Sequence, residues 1–215
     1  MARFLSHLDL QRVVERGLRR AELPLAFTQG FNPHPRISYA SALATGASSE
    51  GEFIDVDLTE PVDPAAFVAR VNAVLPEGVR LLEARPAPEG GGSLMAAINA
   101  ALYRLTLRGA DEAALRAAAA RFREAEAVVV SREGPSGSRP VDIRPHVYDL
   151  AVEGPGQLRA LVQTGSGGNV RPEEVCAGLA QFAPELAEAE LVLAHRLMLY
   201  RRDPETGALT EPWSL

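Results

Sequence analysis

The sequence predicts an α+β fold, and three observations carry that reading. Residues 1–85 run in the order helix–strand–strand–helix–strand. A Pro- and Gly-rich break follows. A second series of strands and helices comes after it. Each half fits a βαββαβ unit, so the chain reads as two tandem ferredoxin-like domains, 1–85 and 101–215, joined by a linker and short helix over 86–100. Only a few residues precede the first helix, so the first domain is expected to lack its first strand.

The elements follow from pattern. Ser6 and Asp9 stand at capping-box spacing before a helix. In it Leu10, Val13, Val14, Gly17, Leu18 and Ala21 form an apolar stripe, and Arg12, Arg16, Arg19 and Arg20 line another face. Residues 24–28 and 37–42 read as short strands, and 44–51 as a loop. In EFIDVDL, Ile54, Val56 and Leu58 share one face, while Asp55 and Asp57 read as the wet side of a sheet rather than a metal site. Asp63-Pro64 opens a helix with proline in its first turn, and 79–84 reads as a strand. In the second half, strands are expected at 103–108, 128–132, 147–152, 158–163 and 191–201, with helices at 111–126 and after Val175.

Composition excludes several classes. The 215 residues carry a formal net charge of −6, so a uniformly basic nucleic-acid binder is ruled out, but a local basic patch is not. Residues 1–40 sum to +3 and the rest to −9; every basic residue is arginine. The single cysteine, Cys176, excludes an internal disulfide and a Cys-cluster metal site, which fits a cytoplasmic location. No apolar run reaches the length of a membrane span.

Two stretches concentrate chemistry. The first is FTQGFNPHPRISYA, Phe27–Ala40. Gly30 permits positive φ, and Pro33 and Pro35 fix φ and extend Asn32 and His34. Such a loop is stiff, which lowers the entropy cost of presenting Gln29, Asn32, His34 and Arg36 to a partner; equally, it is ordinary turn chemistry between strands. The second is TGSGGNVRPEEV, Thr164–Val175. Here Gly165, Ser166, Gly167, Gly168, Asn169 and Arg171 lead into a helix N-terminus that offers N–H groups to an anion. It lacks the Lys-Ser/Thr element of a Walker loop, and an irregular glycine loop is the plain alternative. Arg139 and Arg144, in SRPVDIRP, are expected to join this patch. His7 and His34 are the candidates for acid–base catalysis. His195 is read as a satisfied sheet residue.

The stretches RFLSHLD, LPLAFTQGFNPHPRISYA, SEGEFIDVDL, VDIRP and TGSGGNVRPEEV resemble the radical-SAM-linked protein family, a bacterial domain of unknown function found alone or fused to radical-SAM enzymes. The resemblance covers nearly the whole chain. Family members usually carry one more strand before the first of these stretches. The resemblance implies a radical-SAM protein as partner. The iron–sulfur cluster and S-adenosylmethionine would belong to that partner, since three cysteines are needed and this sequence has one.

Three functions follow as expectations. The leading one is an RNA-binding accessory domain, with phosphates on Arg12, Arg16, Arg36 and the glycine loop, bases read by Gln29, Asn32 and His34, and stacking on Phe31 and Tyr39. The second is a protein-docking module. The third is a metal-independent nuclease using His7 and His34. No metal or cofactor is expected in this chain.

Overall fold

A computed structural model describes residues 2–87, 92–134, 137–165 and 167–214, and shows a mixed α+β chain. Helix α1 (His7–Arg20) starts where Ser6 Oγ accepts the Asp9 N–H at 3.1 Å. Its apolar stripe buries Val14, Gly17 and Leu18. Strand β1 (Ile37–Tyr39) pairs antiparallel with β3 (Ile54–Val56), and isolated bridges at Leu25–Leu58 and Phe27–Pro35 extend the ladder. Between these strands lies the two-residue β2 (Ser48–Ser49). Helix α2 (Pro64–Asn72) is capped by Asp63, whose carboxylate accepts the Ala66 N–H. These elements enclose a small core of Val14, Leu18, Leu23, Leu25 and Val71, with Ile37, Ile54, Val56 and Leu58 against it. The apolar face expected of the EFIDVDL strand is the face that packs.

The strand expected over 79–84 is absent. The Asn72 side chain takes both the N–H and the C=O of Leu81, at 2.8 and 2.9 Å, so that segment is held by an amide instead of a neighbouring strand. Among the described residues the N-terminal part therefore has a two-stranded sheet, not the three strands of a βαββαβ unit without its first.

After the short α3 (Leu94–Ala97) come β4 (Ala100–Arg108), α4 (Glu112–Glu124), β5 (Val129–Gly134), β6 (Gly137–Asp142), β7 (Val147–Gly154), β8 (Gln157–Gln163), α5 (Pro172–Ala180), β9 (Glu190–Arg202) and β10 (Leu209–Thr210). The main sheet has the order β10-β9-β4-β8-β7, all antiparallel, while β5 and β6 form a separate hairpin beside α5. Alternation along β4 and β8 sends Tyr103, Leu105, Leu107, Leu158, Ala160 and Val162 toward α4 and α5. This larger core also takes Ala40 and Ala47 from the N-terminal part. The segment expected as a loop, 44–51, reaches the same sheet, because β2 pairs parallel with β9.

Candidate functional site

The stiff loop is the tip of a hairpin. The Thr28 N–H donates to the His34 carbonyl at 2.9 Å, and the His34 N–H to Thr28 Oγ1 at 3.0 Å. Gly30 takes φ 125°, as its position requires. Phe31 stands wholly exposed at the tip, with Gln29, Asn32 and His34 exposed around it. The hairpin lies along α1: Tyr39 Oη donates to the Gln11 carbonyl, and the Arg19 guanidinium sits 5.2 Å from the Phe27 ring centre. Cations on this surface are largely paired. Arg12 meets Asp9 at 3.1 Å, Arg19 meets Glu15 at 2.9 Å, and Arg36 meets Asp57 at 2.9 Å. Arg16 and Arg20 have no ion-pair partner among the described residues, and Arg20 is exposed.

The two histidines expected as an acid–base pair are not brought together. His7 stands edge-on to Tyr39, with ring centres 5.8 Å apart, and its Nε2 meets the Gln11 amide at 3.0 Å. Its Nδ1 is buried with no hydrogen-bond partner. Burial, helped by Glu15, pushes the Tyr39 hydroxyl up to about 12. His34 lies five residues before Tyr39, ~16 Å along an extended arm. No contact joins the imidazoles among the described residues, so they share no bond to act on.

The glycine-rich loop is closed from within. Ser166 lies outside the described residues. The Gly168 N–H donates to the Gly165 carbonyl, and the Val170 N–H to the Gln163 carbonyl. At the start of α5 the Glu174 carboxylate accepts the Arg171 N–H at 2.9 Å and both arms of the Arg132 guanidinium at 2.5 and 2.7 Å. Burial opposes the charge on Glu174. The hydrogen bonds from Arg132 and from the Arg171 backbone, with both guanidinium charges, outweigh it and hold the carboxyl below its ordinary value. Arg132 also donates to the Asn169 carbonyl, and Arg171 to the Glu133 carbonyl. The anion expected at this helix N-terminus thus finds the chain's own carboxylate already seated there. The glycines serve geometry: at Gly165, φ 93°, a Cβ would lie 2.5 Å from the Ile98 carbonyl oxygen.

Arg144 does not join this loop. Its guanidinium donates to the Arg123 and Val147 carbonyls, and its Nε is buried without a partner. It stands at the base of the β5–β6 hairpin, where Asp142 Oδ1 accepts the Val128 and Arg144 N–H groups. The glycine loop touches Arg132 and Glu133 instead, ~13–16 Å further along β5. Arg139 lies on β6 in register with Arg132. Just past the first stretch, Ser41 Oγ lies 3.4 Å from Thr164 Oγ1 at the start of the second, so the two approach each other at their bases. From Ser41 to His34, at the edge of the tip, the chain runs ~23 Å if extended.

Sequence reasoning missed the seam between the halves. Arg196, 3% exposed, donates to both Glu52 oxygens at 2.9 and 3.0 Å, to Tyr103 Oη at 2.9 and 2.7 Å, and to the Ala42 carbonyl at 2.9 Å. Beside it Ser48 Oγ meets His195 Nδ1 at 2.7 Å, and His195 Nε2 lies 3.7 Å from Glu50. An arginine inside the apolar run LVLAHRLMLY was the available signal, since a buried guanidinium demands partners. Among the described residues no group of three His, Cys, Asp or Glu could hold a metal ion, and no helix is long and apolar enough to cross a membrane.

Residues 1–172 match the family model described as an uncharacterized protein conserved in bacteria, DUF2344. No curated protein matches the chain.

Proposed function

Because the chain belongs to the DUF2344 family, uncharacterized proteins conserved in bacteria, we propose a function from its own surface: an accessory domain that binds single-stranded RNA through α1 and the stiff hairpin. The observation that carries this reading is Phe31. A wholly exposed phenylalanine on a loop locked by two hydrogen bonds is a preorganised stacking platform. Arg16 and Arg20 supply phosphate contacts, and Gln29, Asn32 and His34 supply donors and acceptors for base edges. The glycine loop and Arg144 take no part, since the chain's own groups already occupy them.

The resemblance to radical-SAM-linked proteins supports a cytoplasmic radical-SAM enzyme as the partner, with the cluster and S-adenosylmethionine on that partner's side. The connection β4-α4-β7-β8-α5-β9 and the order β9-β4-β8-β7 support reading residues 100–202 as a ferredoxin-like unit, with residues 1–85 as a reduced counterpart.

The test is fluorescence anisotropy with a fluorescein-labelled oligouridylate of about 12 nucleotides, within the usual single-strand site size, at low salt. Phe31→Ala is expected to weaken binding about 10-fold or more, in line with ~1–3 kcal/mol per stacked base. Its melting temperature should stay that of the wild type. No binding by the wild-type chain overturns the proposal. A second reading, protein docking without RNA, is favoured by one observation: Asp9, Glu15 and Asp57 neutralise three of the surface arginines. Capture of a radical-SAM enzyme that survives RNase and is lost in Phe31→Ala would select it.

A further inference from the structure

The face of the main sheet turned away from α4 and α5 is built in rows, because register fixes which side chains stand abreast. Arg159, Arg104 and His195 face one another across β8, β4 and β9, and Ser48 of β2 continues the line beyond His195. The next row is apolar: Leu161, Leu102 and Met198. Between the two rows β4 advances by two positions and β9 by three, because the register shifts between Leu102 and Tyr103. That bulge absorbs the extra residue and puts Met198 and His195 on the same face. All three apolar side chains are half-buried and outside both hydrophobic cores. Neighbouring positions within a row are about 4.8 Å apart, and the rows about 7 Å.

The charge at the β4–β8 centre of this face favours an anion. Arg104 and Arg159, both nearly half exposed, share one carboxylate, Glu153, at 3.1 and 3.6 Å. Two guanidiniums against one carboxylate leave an unneutralised positive charge at the centre of the face. Ser48 fixes the His195 ring through Nδ1 and leaves Nε2 toward Glu50. Asp149 lies opposite Leu161 at the outer end of the apolar row, so the positive side is the β4–β8 centre rather than the β7 edge. The glycine-rich loop borders the same face, since a Cβ at Gly168 would stand 2.9 Å from the Gln163 amide nitrogen.

We propose that this face is a second contact surface for the single-stranded RNA, with phosphates on Arg159 and Arg104 and bases on the Leu161–Leu102–Met198 row. A cationic row beside an apolar one matches a polymer whose charged backbone and flat bases are joined by one sugar. The inference rests on the RNA-binding reading above and adds to it the site that carries the backbone.

The experiment uses the full chain and the same labelled oligouridylate, titrated between roughly 50 and 200 mM salt. The double variant Arg104→Ala, Arg159→Ala is expected to bind about 10-fold more weakly, and its salt slope should fall by about 1.4, because two phosphates go unneutralised. Glu153→Gln frees both guanidiniums and is expected to bind several-fold more tightly, a gain that loss of folding cannot produce. Both variants binding as the wild type does, while Phe31→Ala binds more weakly, would overturn this inference and leave the hairpin site standing. Absence of binding by the wild-type chain would overturn both.

Discussion

Replacing Glu52 by alanine should detach the two halves of the chain more severely than any other exposed-side substitution on the seam. The change strands the Arg196 guanidinium, which is 3% exposed, with Tyr103 Oη and the Ala42 carbonyl as its remaining acceptors. Removing one partner of a buried ion pair costs ~3–5 kcal/mol. Glu52 is itself 28% exposed, so water can reach part of the vacated position. The low end, about 3 kcal/mol, applies. For a chain of this length that lowers the melting temperature by ~6–12 °C. Glu52→Gln keeps one acceptor and should lose about half as much. The double replacement Arg196→Met, Glu52→Leu should recover most of the loss, because a matched apolar pair strands no charge. Urea unfolding followed by circular dichroism measures all three. A loss under ~1 kcal/mol for Glu52→Ala would refute the reasoning, since an exposed ion pair is worth no more than that.

Two further outcomes concern α5. Glu174 has its pKa held below the ordinary carboxylate value in the folded chain, so its contribution is fully present above the unfolded value and fades as pH falls through the folded one. The wild type should lose stability below roughly pH 4.3, and Glu174→Gln should be less stable at neutral pH with a flatter acid limb; parallel acid limbs in urea titrations would contradict this. Burial, aided by Glu173, pushes the Cys176 thiol up to about 12. Its reaction with a disulfide reagent at mildly alkaline pH should be on the order of 10³-fold slower in the native chain than in urea, and equal rates would show the thiolate to be accessible.

Much of the architecture was legible along the chain. Ser6 at capping-box spacing and Asp63 before Pro64 marked two helix starts, and each accepts the N–H three residues on; the structure adds Asp111, which caps α4 in the same way. The alternation in EFIDVDL named the face that packs. The stiff loop was recognisable because glycine and proline act on their own backbone. The misses share a cause. The 79–84 segment has strand-like composition, but Asn72, nine residues before Leu81, takes its hydrogen bonds. The glycine loop has anion-binding composition, but Glu174, three residues after Arg171, satisfies the helix start and is itself held by Arg132 from another hairpin. His195, read as a satisfied sheet residue, does lie in β9 with its Nδ1 on Ser48 Oγ, and register adds that it stands abreast of Arg104.

What could be read along the chain was therefore the helix starts, the apolar faces of α1 and of the EFIDVDL strand, and the stiffness that Gly30, Pro33 and Pro35 give the tip. These are properties of near neighbours along the chain, and local sterics enforce them. Which polar groups are spent and which remain free depends on how distant segments pack together. Glu174 fills one promising seat, Glu52 ties the halves through Arg196, and strand register lines Arg159, Arg104 and His195 into one row. The Arg132–Glu174 pair spans 42 residues of chain and the Arg196–Glu52 pair spans 144. No local pattern encodes which distant carboxylate a guanidinium will find.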